Sequence, residues 1–279
     1  MKNYLLLISI ICLPAFVQAQ NEFSLYAGAG QSSMNYKLLN GDRSNGFGGD
    51  FGAGYTHFFN ENFGINTGLG LAFYSAKTKI NNETTLISSN LKDNEGDDFD
   101  MHSTLKNFEE KQNAMFLNIP VMLQFQTGKI NKFYLQGGAK IGIPISGNYE
   151  TTDATITNKA YYPKYDNWAT TQKFMGFGVF QNQKSEGDLG LNVSLMLSAE
   201  TGMKWNLSNK LRLYTGLFFD YGLNDIINKH DKPFINYNLA NPENISTNSV
   251  LESLSNTETM TNKVSIVAIG FKLKIALER

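Results

Sequence analysis

Hydrophobic side chains recur at every second position through much of the chain, in eight segments: Phe23–Asn35, Phe47–Phe59, Phe63–Tyr74, Met115–Thr127, Lys132–Ser146, Leu191–Trp205, Leu211–Gly222 and Val264–Leu277. A period of two is that of a β-strand, which points successive side chains to opposite faces. The later segments alternate most clearly. In the sixth, Leu191, Val193, Leu195, Leu197, Ala199, Thr201, Met203 and Trp205 share one face, opposite Asn192, Ser194, Met196, Ser198, Glu200, Gly202 and Lys204. In the eighth, Val267, Ile269, Phe271, Leu273, Ile275 and Leu277 oppose Ala268, Gly270, Lys272, Lys274 and Ala276. Each segment is long enough to cross a bilayer when tilted, for which roughly nine to eleven residues suffice.

The oily faces of the eight segments carry no Asp, Glu, Lys or Arg, although these make up 18% of the chain. A soluble β-sandwich turns its alternating polar face to water, where charges are frequent. Here the second face is mainly Gly, Ala, Ser, Asn, Gln and Tyr with a few charges, which suits a narrow, filled lumen. The oily face is therefore expected to meet lipid. Connections alternate in the same sense: 60–62, 128–131 and 206–210 are short, whereas 36–46, 75–114, 147–190 and 223–263 are long. Short periplasmic turns and long outside loops mark a membrane barrel, and an even strand count places both termini in the periplasm. Aromatic residues gather at the segment ends, with Tyr55, Phe59, Phe63, Phe125, Phe133 and Trp205 at one end and Phe47, Phe73 and Tyr221 at the other. Such rings favour the headgroup level. The predicted fold is all-β: a transmembrane antiparallel up-and-down β-barrel of eight strands with long extracellular loops, set in the outer membrane.

Composition changes this picture at the N-terminus. Residues 1–19 comprise one Lys, an apolar stretch from Tyr4 to Phe16 and a small-residue ending at Ala19, the pattern of a removable signal peptide that leaves 20–279 as the barrel domain. The single cysteine, Cys12, falls inside that leader, so the remainder has neither a disulfide nor a thiol nucleophile. No apolar stretch after residue 19 is long enough for a transmembrane helix. A closed barrel is the other architecture that can span a bilayer. Net charge is -1 with the signs well mixed, which gives no basic field for nucleic acid.

Candidate chemistry falls in the lumen and the loops. Asp50, Lys140, Glu200, Lys204, Arg212, Asp220, Lys272 and Lys274 have lumen parity. Charges in a narrow, dry space must pair. Glu200 is expected among Lys204, Arg212 and Lys272 in the periplasmic half, with Asp50, Lys140 and Asp220 higher up. Of the three histidines, His57 has lipid-facing parity, and His102 and His230 lie in loops; no spacing suggests a Ser-His-acid triad, and no catalytic residue is assigned. Asp93, Glu95, Asp97, Asp98 and Asp100 could offer oxygens to Ca²⁺. Gly96, however, is not at the sixth position of an EF-hand loop, a solvated acidic loop is the plainer reading, and no metal or cofactor is assigned. The third loop crowds Tyr161, Tyr162, Tyr165, Trp168, Phe174, Phe177 and Phe180 into one stretch, as a partner-binding surface, a satellite core, or a prolongation of the hairpin through 173–181. The Asn-, Ser- and Thr-rich stretch 236–262 carries no site signal and reads as a mobile loop.

Five segments carry a resemblance to a known family: FSLYAGAG from Phe23, FFNENFGINTGLGLAF from Phe58, FLNIPVMLQF from Phe116, FYLQGGAKIGIPIS from Phe133 and VAIGFKLKI from Val267. Together they resemble the small outer-membrane β-barrels common in Bacteroidetes, often labelled PorT-like. The resemblance implies the barrel fold, outer-membrane placement and a secretion-associated role. Gly270, Leu273 and Ile275 also resemble the closing-strand signal read by the barrel-assembly machinery, with aliphatic residues where aromatics are usual and Glu278 and Arg279 extending past the end. The partners implied are membrane lipid, that machinery during insertion, and a protein bound at the surface loops. A small-solute channel and a lipid-modifying barrel enzyme are the alternatives.

Overall fold

The computed structural model describes residues 20–279, so the leader expected over 1–19 lies outside the described residues. Eight strands form a closed antiparallel ring: β1 (Asn21–Asn35), β2 (Phe47–Phe58), β3 (Phe63–Ile80), β4 (Glu109–Thr127), β5 (Lys132–Thr151), β6 (Ser194–Asn206), β7 (Leu211–Gly222) and β8 (Ser265–Glu278). Each pairs with its sequence neighbours, and β8 closes on β1 from Glu22↔Glu278 to Asn35↔Ser265. The eight segments read from the period-two pattern are these strands. Register partners followed around the ring from Phe23 run through Tyr55, Thr67, Val121, Ala139, Leu197, Tyr221 and Val267 and return to β1 at Ser33, ten residues along. That stagger requires the strands to tilt, by roughly 35–45° to the barrel axis.

Alternation sets the two surfaces. Leu25, Phe51, Leu69, Leu123, Leu135, Leu197, Leu217 and Phe271 point outward, each about half exposed or more. Water would penalise such a belt; hydrocarbon does not. Phe59, Phe63, Phe133 and Trp205 ring the end with the short turns, and Phe47, Phe73 and Tyr221 ring the other. Inside, glycine lets large groups lie close against the wall. A Cβ at Gly216 would stand 2.3 Å from the Tyr134 hydroxyl, and one at Gly28 would stand 2.2 Å from an Asp50 carboxylate oxygen.

Three strands exceed their predicted ends by five residues or more, whereas β6 begins at Ser194, three residues after the start predicted at Leu191. β3 continues past Tyr74 to Ile80, β4 begins at Glu109 instead of Met115, and β5 continues past Ser146 to Thr151. These extensions rise beyond the apolar band and carry the long loops. The second loop is a hairpin of strands Thr84–Lys92 and Asp98–Lys106, and it pairs with Ala154–Tyr162 of the third loop. Asn167–Ala169 and Gly178–Gln183 add to the same sheet. Within 173–181, Lys173–Met175 form a short 3-10 helix and Gly178–Phe180 join this separate sheet, so the stretch does not prolong the barrel hairpin; the upper part of β5 is paired instead by Glu186–Asp188, opposite Asn148–Glu150.

The fourth loop is not the mobile segment its composition suggests. Phe234, Ile235, Val250 and Leu251 are fully buried and join one apolar core with Phe99, Met101, Phe108 and Phe177 of the other loops and Phe116 and Phe218 of the upper lumen. Its apolar residues follow turns with no regular period, which hides them from a search for helical or strand repeats.

Candidate functional site

The lumen holds four acids and four lysines in pairs, each side chain almost wholly buried. At the end with the short turns, Lys204 pairs with Glu22, which also accepts the Tyr214 hydroxyl, while Lys204 donates to Gln126 at 3.2 Å. Midway, Glu200 accepts the Tyr134 hydroxyl at 2.9 Å and faces Lys272 at 3.4 Å and Lys274 at 3.3 Å. Lys272 also reaches Asp50 at 3.1 Å and lies 4.8 Å from the ring centroids of Tyr26 and Phe218. Highest up, Lys140 donates to both oxygens of Asp220 at 2.8 and 2.9 Å. Arg212 pairs with Glu278 at the rim.

The arrangement corrects the pairing expected from sequence. Lys272 is beside Glu200, but Lys204 and Arg212 are not. Glu200 is in register with Phe218 and Arg212 with Asn206, so six residues, roughly 20 Å of strand, separate Arg212 from Glu200. Lys204 lies four residues further along the same strand, roughly 13 Å away, and meets Glu22 instead. Asp50 joins the Glu200 group through Lys272, leaving only Lys140 and Asp220 higher up. Glu22, Glu278 and the tyrosines 26, 134 and 214 were not among the sequence candidates. Glu22 was within reach of the parity argument, because it shares a face with Ser24 and Tyr26, but it precedes the first apolar residue of its segment.

Such pairing neutralises charges that would be costly if left alone in a low-dielectric space. The cavity among Ser24, Tyr26, Gln136, Lys140 and Glu200 measures about 20 Å³, room for about one water. The histidines are dispersed. His57 bonds to Asn21 at 2.8 Å, His102 lies edge-on to Trp168, and His230 meets Asp225 at 3.1 Å, with Asp225 also accepting the backbone N–H groups of Ile227 and Val264.

In the loops, the aromatic set divides in two. Phe177 and Tyr162 pack on Phe99, with centroids 5.6 and 5.4 Å away. Tyr165, Trp168 and Phe174 are 55%, 48% and 65% exposed, and Tyr161 stacks against Trp168 at 5.0 Å. One part of the stretch is thus core, and the other is surface held by that core. The acidic loop is held internally as well: Asp97 takes Lys164 at 2.8 Å and the Tyr165 hydroxyl at 2.6 Å, and Asp98 pairs with Lys92. Those bonds from Lys164 and Tyr165 hold the Asp97 carboxyl below its usual range. Among the described residues, no three His, Cys, Asp or Glu side chains converge as a metal site.

Above the apolar band, β4 buries Glu110, whose carboxylate accepts the Ser249 hydroxyl at 2.6 Å, the Gln112 amide at 2.8 Å and the Val250 N–H at 3.0 Å. Burial dominates over these bonds, and with Glu252 nearby it pushes the Glu110 carboxyl up to about 7. A carboxyl with a raised folded-state pKa binds its proton more tightly when folded, so its contribution is complete below the ordinary Glu value and is lost as pH rises through about 7. The loop end is expected to melt at lower temperature at pH 8 than at pH 5. In Glu110→Gln that difference should shrink, as circular dichroism melts at the two pH values will register.

A closed eight-stranded ring with an uncharged outer belt, aromatic girdles and a paired, filled lumen defines an integral outer-membrane β-barrel. Residues 18–228 match the family described as outer membrane protein beta-barrel domain, and the chain belongs to that family. No functionally curated protein matches its sequence. Among solved structures it is similar to Neisserial surface protein A, at 10% identity over 93% of this chain and 99% of that one, with a TM-score of 0.35. It is also similar to OprG from Pseudomonas aeruginosa, at 14% identity over 92% and 95%, with a TM-score of 0.37. A third is Ail, the attachment invasion locus protein of Yersinia pestis, at 12% identity over 94% and 100%, with a TM-score of 0.31.

Proposed function

We propose that the protein is a non-enzymatic barrel that displays a folded cap at the cell surface for a protein partner, with the cap outside and both termini in the periplasm after removal of residues 1–19. The carrying observation is that three loops share one core and lift Tyr165, Trp168 and Phe174 into solvent on a braced sheet. Exposed, rigidly held aromatic rings favour recognition. The paired lumen supports a closed barrel over a solute channel, and the dispersed histidines support binding over hydrolysis. Insertion by the barrel-assembly machinery through β8 fits this reading, and a PorT-like, secretion-associated role is its finer form, resting on the sequence resemblance.

Surface cross-linking on intact cells tests it. The wild type is expected to capture a discrete partner. The triple substitution Tyr165→Ser, Trp168→Ser, Phe174→Ser should lose it at unchanged barrel content, and both proteins should stay silent in planar bilayers. Discrete conductance openings, or capture unaffected by the triple substitution, would refute the proposal.

A further inference from the structure

Where the apolar belt of the barrel ends below the cap, its outer wall holds a pocket of about 340 Å³. The lower side is apolar, with Met115 and the girdle rings Phe47 and Phe73; the upper side is polar, with Lys111, Asn113 and Asn148. Strand register sets this order. Phe73, Met115 and Ser146 are partners across β3, β4 and β5; two residues higher stand Ser75, Asn113 and Asn148, and two higher again Lys77, Lys111 and Glu150. Each step is roughly 7 Å of strand, so the surface passes within a short distance from rings to amides to charge. A bilayer changes in the same order, from hydrocarbon to headgroups.

The charge at the top of the pocket is unanswered. Lys77 and Lys111 stand directly opposite each other, an unfavourable arrangement for like charges. Glu109 relieves only one of them, because it pairs with Lys77 and with Lys79. Lys111 is exposed and forms no ion pair among the described residues, and Glu150, its register partner on β5, closes none with it. The Asn113 amide donates to the Asn148 side-chain oxygen at 3.2 Å, which leaves the Asn148 side-chain N–H groups for another acceptor. An ammonium on a long apolar stem and an amide thus offer hydrogen bonds just above the girdle, at the height of lipid headgroups. An inorganic anion would satisfy the upper side and leave the rings against water. A neutral lipid would cover the rings and leave Lys111 without a counter-charge. A phosphate joined to acyl chains answers both sides: lysine binds phosphate as a point charge, and the chains continue down the belt past the paired Leu71 and Leu117.

We propose that this pocket binds a lipid whose headgroup carries a phosphate, with Lys111 and Asn148 on the phosphate and Phe47, Phe73 and Met115 against the upper part of an acyl chain. That the lipid belongs to the outer leaflet rests on the orientation proposed above; the site itself does not. Native mass spectrometry of the purified protein released from dodecyl maltoside micelles tests it with dipalmitoyl phosphatidic acid, against dipalmitoyl glycerol and with inorganic phosphate as competitor. Phosphatidic acid is expected to stay bound at one copy per barrel, with the diacylglycerol about tenfold weaker or absent and inorganic phosphate at equal concentration failing to displace it. Lys111→Gln, at an exposed position, should weaken that binding about fivefold to tenfold. Lys79→Gln, two residues above Lys77 and outside the pocket, should leave it unchanged. Equal losses in the two variants would reduce the effect to diffuse charge and overturn the proposal. So would diacylglycerol binding as well as phosphatidic acid, displacement by inorganic phosphate, or an unchanged affinity in Lys111→Gln. Micelles have no sides and the readout involves no surface partner, so failure here leaves the proposed surface function standing, and loss of surface capture leaves this site standing.

Discussion

Glu200→Gln is expected to cost the barrel about 3–5 kcal/mol of unfolding free energy, the range for breaking a buried ion pair by removing one partner. The reason lies in what the substitution leaves behind. The new side-chain amide would still accept the Tyr134 hydroxyl, and Lys272 would retain Asp50. Lys274 has Glu200 as its sole acidic partner among the described ion pairs, and it would remain buried, charged and uncompensated beside the rings of Tyr134 and Tyr214. Urea unfolding in lipid vesicles, followed by tryptophan fluorescence, reads the change. Adding Lys274→Met should restore most of the loss, because the penalty belongs to the stranded charge more than to the missing attraction. Unfolding of Glu200→Gln at the wild-type urea concentration would mean that water reaches the lumen and solvates Lys274. A solute channel would then regain its standing.

The same residues show what sequence can and cannot reveal. The faces of β6 were legible because alternation is local: Leu197 and Ser198 declare opposite sides without reference to another strand. Pairing across the lumen is not local. Lys204 and Glu22 stand 182 residues apart in the sequence and meet because β1 and β6 face each other across a ring with a ten-residue stagger. Parity puts Arg212 on the correct face of β7, whereas register puts it at the rim with Glu278, roughly 20 Å from Glu200. Loop structure was less legible still. The exposed rings of Tyr165 and Phe174 and the buried ring of Phe177 belong to one short stretch, and only the contacts of Phe99, brought in by a different loop, distinguish them.

Phe234→Ala should open the cap while leaving the ring of strands intact. Phe234 is fully buried and stacks edge-on against Phe108 at 5.6 Å, joining the fourth loop to the strand-entry segment of β4. Its carbonyl accepts the Asn248 N–H at 2.8 Å, and the next residue, Ile235, donates its N–H to Ser88 of the second loop at 3.0 Å. Truncating a buried Phe typically costs about 3–5 kcal/mol, so opening of the cap should become roughly two to four orders of magnitude more frequent. The barrel is held by strand pairs that close without the loops, so the two parts should differ in local stability. Hydrogen exchange read by mass spectrometry should show faster exchange over 84–106, 154–183 and 226–262 together, with no change in the membrane-spanning part of β6 or β7. Acceleration confined to the fourth loop would mean that the loops fold independently. Tyr165, Trp168 and Phe174 would then stand on the third loop alone, without the shared core that makes them a rigid surface for recognition.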